Sequence, residues 1–346
     1  MSTHFHPLKV KEIIKETINT VSILFDIPAD LKESFNYQAG QYLTLKVNIS
    51  GEEVRRSYSV SSSPKADEEL KISSKMIEGG KMSTYLFREL AVGDTVEVMP
   101  PQGNFTLKEA NPLVLFAAGS GITPIISLAK EALVSDDRQV YLYYGNRSTE
   151  EIIFKAELDQ LKEKYSGRFL VQHFLSSDGE RIDSDRVKSV VAGLQNEKAD
   201  ALFYICGPSQ MIQATEAALQ KSEVSEEQIK IEYFASPKTE KKETETASPT
   251  SSGNVNDIVV VLDDEEHEVS LNDGETILEG SERIGIDPPY SCQSGVCTTC
   301  KAKVESGEVE MENNFGLGQD EIDEGYALTC IGRPKTAGVK INWDEV

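Results

Sequence analysis

The segment Cys292-Gln-Ser-Gly-Val-Cys297-Thr-Thr-Cys300, with Cys330 further on, decides the architecture of the last quarter of the chain. Four residues separate the first two cysteines, two separate the next pair, and 29 lie between Cys300 and Cys330. Three thiolates on one glycine-containing loop can wrap a metal cluster, and a distant fourth closes it. Zinc ligands more often come as two close pairs, which makes a zinc site the main competitor, with disulfides behind it. Of the five cysteines only Cys206 stands apart, and in a reducing compartment such a cluster reads as metal binding before cross-links.

Outward from this loop, Ile258 to Leu262 and His267 to Leu271 read as a hairpin turning through Asp263-Asp264-Glu265-Glu266, and Thr276 to Arg283 as a helix. Residues 254–346 then form a small third domain. Before it, 237–253 holds Ala247 as its one aliphatic residue and is expected to be a linker, about 20 to 25 Å in root-mean-square span if a flexible coil. Residues 18–105 show short alternating runs such as Tyr42 to Val47 and Thr95 to Val98, the pattern of a small antiparallel barrel, assigned to 1–108. From Pro112 the rhythm changes. Apolar Leu113 to Ala118 leads through a glycine turn into a helix expected from Pro124, and strands at Gln139 to Tyr144, Phe169 to Phe174 and Ala201 to Cys206 alternate with helix-length segments. That predicts a parallel sheet with covering helices over 109–236.

The chain has 346 residues, 39% hydrophobic, with 58 acidic against 35 basic residues and a net charge of −23. These values fit two or three soluble domains and exclude a collagen, a disordered chain or a membrane bundle. From Asn254 to Val346 there are 21 acidic and 6 basic residues, a balance of −15. Such a surface disfavours nucleic acid and anionic lipid and suits a protein with a basic docking face. No run approaches the roughly 20 apolar residues that span a bilayer. Met1 to Lys15 has no apolar core before a small-residue cleavage site, so a cytoplasmic location is the expectation.

Three further constellations carry chemistry. Arg56-Ser57-Tyr58-Ser59 is followed by Gly79-Gly80-Lys81-Met82-Ser83-Thr84; a guanidinium and the N–H groups of a glycine turn at a helix start suit a diphosphate. Gly119-Ser120-Gly121-Ile122-Thr123-Pro124 sits between an apolar strand and a helix, where Gly-x-Gly lets backbone approach a phosphate. At later strand ends stand Gly145-Asn146-Arg147-Ser148 and Cys206-Gly207-Pro208. Arg147 offers a donor fork that matches a 2′-phosphate, and no acidic residue adjoins it to take a ribose hydroxyl instead, which favours NADPH while leaving NADH open. On its residue type alone Cys206 reads as a small buried residue, and Phe234 as a core ring. His4 and His6 read as a frayed, exposed tail.

The four-then-two cysteine spacing resembles the plant-type 2Fe-2S ferredoxins, with Thr298 where many members carry glycine, and the two upstream motif sets resemble the ferredoxin-NADP reductase superfamily. The resemblance implies a multidomain chain: an antiparallel β-barrel flavin domain, an α/β parallel-sheet nucleotide domain and an α+β (β-grasp) ferredoxin domain. It implies that Arg56, Ser57, Gly79, Gly80, Lys81, Met82 and Ser83 serve the FAD pyrophosphate region, with Tyr58 on the isoalloxazine and Ser59 near N5. Gly119, Gly121, Thr123 and Pro124 would meet NADPH phosphates, Arg147 and Ser148 its adenosine ribose, Gly207 and Pro208 with Cys206 its nicotinamide end; Phe234 would stack on the flavin if it is not core, and Cys292, Cys297, Cys300 and Cys330 would hold the cluster.

This domain order is that of the reductase components of multicomponent oxygenases. Within them Gly295 to Val304, Gly307 to Phe315 and Gly325 to Cys330 look most like reductases of the phenylacetyl-CoA epoxidase type, although reductases of hydroxylases and desaturases share much of this stretch. The implied activity passes electrons from NADPH through FAD and the 2Fe-2S cluster to an oxygenase partner, and the linker would let the ferredoxin domain move between flavin and partner. A two-electron donor and a one-electron cluster need a carrier between them, and no side chain need act as acid or base in the hydride step. The competing readings are a stand-alone NADPH diaphorase, against which the ferredoxin domain argues, and a redox-sensing module, which needs no hydride donor.

Overall fold

The computed structural model describes residues 4–237 and 255–346, so the linker expected over 237–253 lies, apart from Pro237, outside the described residues. Two compact units make up the chain, Phe5–Phe234 and Ala235–Val346, the latter grouped with Met1–His4.

The first unit opens with β1 (His6–Thr17), β2 (Thr20–Asp26), β3 (Tyr42–Ile49), β4 (Glu52–Ser59), β5 (Lys71–Lys75), α1 (Lys81–Arg88) and β6 (Thr95–Gln102). The strands form one antiparallel sheet in the order β4-β3-β6-β1-β2-β5. A bridge from Val60, just past β4, to Ile72 on β5 brings the two outer strands together as a barrel does. Alternation along the strands fills the interior: Leu8, Val10, Ile23, Leu43, Leu45, Val96 and Val98 are buried together, each contributing about 1.5–3 kcal/mol against an exposed reference. A polar seam accompanies them. Ser73 Oγ lies 2.7 Å from Ser22 Oγ and 2.8 Å from Ser61 Oγ, so these buried hydroxyls satisfy one another. His6 is not part of a frayed tail: it begins β1 opposite Val98, and its ring packs edge-on against Phe35 at 6.0 Å.

The same unit continues with β7 (Leu113–Ala118), α2 (Ile122–Ser135), β8 (Val140–Asn146), α3 (Lys155–Lys164), β9 (Phe169–Leu175), α4 (Ser184–Leu194), β10 (Leu202–Gly207), α5 (Ser209–Lys221) and β11 (Ile229–Tyr233). All five strands are parallel, in the order β11-β10-β7-β8-β9. The unbroken apolar run of β7 follows from burial on both faces. Leu113, Leu115 and Ala117 pack under α2 and α3, while Val114 and Phe116 pack under α4 and α5. The helix expected from Pro124 begins two residues earlier, at Ile122, with Pro124 third in the first turn, where a missing N–H costs nothing.

The second unit contains β12 (Asp257–Leu262), β13 (Glu265–Ser270), α6 (Ile277–Arg283), β14 (Lys301–Ser306), β15 (Val309–Met311), α7 (Gln319–Asp323), β16 (Tyr326–Leu328), β17 (Gly332–Pro334) and β18 (Lys340–Asn342). Its mixed main sheet runs β13-β12-β18-β14-β16, with β12 and β18 parallel. Asp263 and Asp264, at φ 57° and 61°, make a two-residue hairpin turn whose N–H groups both donate to the Asp344 carboxylate. Thr276 and Glu279 cap α6 reciprocally. Under that helix lies a core containing Val260, Ile277, Ile341 and the fully buried Trp343.

Candidate functional site

In the parallel sheet, the chain leaves β7 toward β8 and β9 on one side and returns to β10 and β11 on the other. The carboxyl end of β7 is therefore the topological switch point, where open α/β sheets bind ligands. Gly119-Ser120-Gly121 occupies this point, and the ends of the flanking strands bring Arg147-Ser148 and Gly207-Pro208 to the same edge. Its two glycines have different reasons. Gly119 has φ +54° and open space where a Cβ would point, so it supplies a left-handed turn with a bare face. A Cβ on Gly121 would lie 2.2 Å from the Cys206 carbonyl oxygen, so this glycine lets the turn pack against β10. The Thr123 hydroxyl donates to the Ser120 carbonyl at 3.1 Å and holds the turn closed. Asn146 is buried at this edge beside Tyr144.

Arg147 is exposed and has no ion pair among the described residues. The Ser148 hydroxyl donates to Glu150 at 2.6 Å, holding that carboxyl below its usual range. The short helical turn Thr149–Glu151 folds Glu150 back, which adjacency in sequence does not reveal.

On the barrel side, β4 presents Arg56, Ser57, Tyr58 and Ser59 opposite β3, with Tyr42 facing Ser59 and Leu45 facing Arg56. Arg56 is exposed, its guanidinium donating to the Arg55 carbonyl, 2.6 Å away. Ser57 Oγ lies 3.2 Å from Thr44 Oγ1. Burial pushes the Tyr58 phenol up to about 12, keeping it neutral. Gly79 has φ +73° with open space beyond it, and Gly80 caps α1 without a side-chain partner for the first-turn N–H groups. Ser83 Oγ accepts from Ile77 N–H and donates to the Gly80 carbonyl, so it shapes the turn from within. Two expected contacts are used elsewhere. The Met82 side chain is barrel core, because its place in the amphipathic α1 faces inward. Lys81 pairs with Glu52 on β4.

A residue not singled out from sequence joins the two halves. Glu232 on β11 lies opposite Cys206 on β10 and accepts a hydrogen bond from Ser59 at 3.3 Å. Desolvation pushes its carboxyl up to about 8, with the Ser59 bond opposing the shift. At neutral pH it is thus mostly protonated, a proton donor beside Ser59. The Cys206 thiol is fully buried, and burial followed by the Glu232 charge pushes it up, so it stays neutral and inert. Phe234 is 44% exposed, which removes the core alternative.

In the second unit the four cysteines converge. Cys292 is in side-chain contact with Cys297 and Cys330, and Cys330 also with Cys300. Cys292 also accepts from the Ser294 and Cys297 N–H groups, both at 3.4 Å, and its thiol is pulled down, first by the Cys297 and Cys330 thiols. Among the described residues no three such side chains surround a single ion. The four converging thiols suit a 2Fe-2S cluster, with N–H donors to sulfur already placed at Cys292. A second loop braces the first: Phe315 N–H donates to the Gly295 carbonyl at 2.9 Å, and a Cβ on Gly295, at φ +72°, would meet the Asn313 carbonyl oxygen at 2.6 Å.

Comparison with known proteins bears on all three parts. Family models for the oxidoreductase FAD-binding domain, the oxidoreductase NAD-binding domain and the 2Fe-2S iron-sulfur cluster binding domain match residues 7–107, 115–217 and 260–335. A component of the 1,2-phenylacetyl-CoA epoxidase of Escherichia coli (strain K12) is 37% identical, over 99% of this chain and 98% of its own. The ferredoxin reductase component of 3-ketosteroid-9-alpha-monooxygenase from Rhodococcus rhodochrous is 36% identical, over 97% of this chain and 96% of its own. Among solved structures, phthalate dioxygenase reductase superposes with a TM-score of 0.61 at 23% identity, covering 98% of both chains.

Proposed function

Because the chain belongs to the family of oxygenase reductases that carry FAD-, NAD- and 2Fe-2S-binding domains, we propose that it takes electrons from NADPH and delivers them to an epoxidase acting on phenylacetyl-CoA. The observation that carries the electron path is the Ser59–Glu232 contact, which puts the barrel motif and the edge of the nucleotide sheet side by side within one compact unit.

When bound, FAD would supply the conversion between a two-electron hydride donor and a one-electron 2Fe-2S acceptor. The protein's part is positional. Arg56 and the open Gly79-Gly80 turn would hold the flavin diphosphate, with Tyr58 for its ring system. Gly119 and the first turn of α2 take the nucleotide phosphates, with Gly207-Pro208 framing the nicotinamide end. Ser59 donates to Glu232, whose own carboxyl proton would be the donor kept close to the reacting edge. Cys292, Cys297, Cys300 and Cys330 hold the cluster as thiolates.

The preference for NADPH rests on the unpaired Arg147, whose guanidinium suits a 2′-phosphate, against Glu150, which would favour a ribose hydroxyl. The epoxidase as partner rests on the relative at 37% identity. The excess of 21 acidic over 6 basic residues beyond Asn254 supports a basic docking face on that partner. An anaerobic titration with NADPH and then NADH tests the path: flavin and cluster bands bleaching together at about three electrons per chain support it. A bleached flavin beside an oxidised cluster sinks it. Reconstitution with epoxidase and ketosteroid-hydroxylase components then decides the partner, since only the true one couples NAD(P)H consumption to product.

A further inference from the structure

Beyond the end of β4, which carries Arg56 to Ser59, the chain continues through Val60 to Ser63, and there helix α2 grips it. Ser127 Oγ donates to the Ser62 carbonyl at 2.6 Å, and Ser63 Oγ donates to Glu131 Oε2, also at 2.6 Å. Glu131 further accepts from the Lys65 N–H at 3.3 Å and pairs with the Lys65 ammonium at 3.1 Å. Beside it Lys130, only 2% exposed, lies 2.8 Å from Asp67 and 2.7 Å from Glu157, and Lys71 from the barrel reaches Glu157 at 3.2 Å. Tyr37 Oη, 2.7 Å from Ser62 Oγ, completes the seat.

The same helix starts at Gly119-Ser120-Gly121. Ser127 lies about 9 Å along the helix axis from Gly121, and Ser62 stands three residues past Ser59, at most about 10 Å along the chain. A rod whose tip is the nucleotide turn is therefore fastened to the segment that directly follows the flavin motif. The Ser59–Glu232 bond is the second attachment, at the opposite end. Buried ion pairs are poor stabilisers, since their desolvation offsets most of their attraction and apolar residues of equal volume often do as well or better. What directional bonds of 2.6 to 2.8 Å give that apolar packing does not is a fixed register.

We infer that Ser127, Lys130 and Glu131 are positioning residues for hydride transfer: they set the spacing between the flavin strand and the nucleotide turn and do not touch either cofactor. The inference rests on the electron path proposed above. Reacting atoms must approach within about 3–3.5 Å, and a displacement of about 1 Å costs on the order of 100-fold in rate. Losing one clasp bond is therefore expected to slow the step without emptying either cofactor site.

The test uses the full chain loaded with FAD and cluster, as wild type and as Ser127→Ala, Glu131→Gln and Ser127→Thr. Four quantities are read: the first-order rate of flavin bleaching at saturating NAD(P)H, the long-wavelength absorbance of the stacked nicotinamide–flavin pair, flavin affinity, and amide exchange over residues 59–63. Ser127→Ala and Glu131→Gln are expected to lose about ten-fold in rate, with a weaker stacking band, faster exchange and unchanged flavin affinity. Ser127→Thr, which keeps the hydroxyl, restores the rate. Lower melting temperatures with rate and band within two-fold of wild type overturn the inference and leave a merely structural clasp. If Ser127→Ala does not fold, Glu131→Gln, which preserves volume, carries the same decision. A wild-type flavin that neither nucleotide reduces defeats the electron path itself, and this inference with it.

Discussion

Ser59, at the end of β4, donates its hydroxyl proton to Glu232 on β11, a 3.3 Å contact that joins the barrel to the nucleotide sheet. The Glu232 carboxyl is pushed up to about 8 by desolvation, against an ordinary value of 4.5. Between those two values the folded chain holds a proton that the unfolded chain has released, so stability falls as pH rises from about 4.5 to 8. In Glu232→Gln this slope is expected to vanish in urea unfolding followed from pH 5 to 9. A slope unchanged in the variant rules out Glu232 as its source.

The two glycines of the nucleotide turn are expected to fail differently. Gly121→Ala drives a methyl onto the Cys206 carbonyl and is expected to cost on the order of 3 kcal/mol of stability. Gly119→Ala meets no atom but must hold φ +54°, costing about 1 kcal/mol and weakening nucleotide binding. Melting curves and nucleotide titrations of both variants check this, and equal stability losses count against it.

Arg147→Ala is expected to raise the Kd for NADPH about ten-fold or more, the loss of a charge-assisted bond of about 1.5–3 kcal/mol, and to leave that for NADH within two-fold. The complementary Glu150→Gln is expected to weaken NADH alone. Parallel loss of both nucleotides on removing Arg147 means that it does not read the 2′-phosphate.

Cys330→Ser removes a ligand in side-chain contact with Cys300, so the cluster is expected to be lost while flavin stays bound. Electrons then still reach ferricyanide, a direct flavin acceptor, but no longer the oxygenase. Visible spectra and the two assays side by side decide it; undiminished delivery to the oxygenase sinks the cluster's place in the path.

The cysteine loop was legible in sequence because a cluster dictates ligand type and spacing within a few residues of chain. The parallel sheet was legible for a related reason: β7, buried on both faces, reads as an unbroken apolar run. Glu232 and Lys130 were not, because their meaning lies in partners distant in sequence, Ser59 in one case and Asp67 in the other. A lysine in the middle of a helix pattern reads as a solvated face, yet Lys130 is buried between two carboxylates. Met82 and Lys81 were read as one motif from adjacency, but a helix turns each residue by about 100°, and one went to the core while the other reached Glu52.

Trp343, the single tryptophan of the chain, is fully enclosed beneath the sheet of the ferredoxin unit. Indole emission is therefore a spectroscopic label already installed in one unit only. An emission-monitored denaturation curve follows that unit by itself, while backbone ellipticity averages over both. Whether the two curves coincide tells directly if the electron-delivering end of the molecule melts on its own.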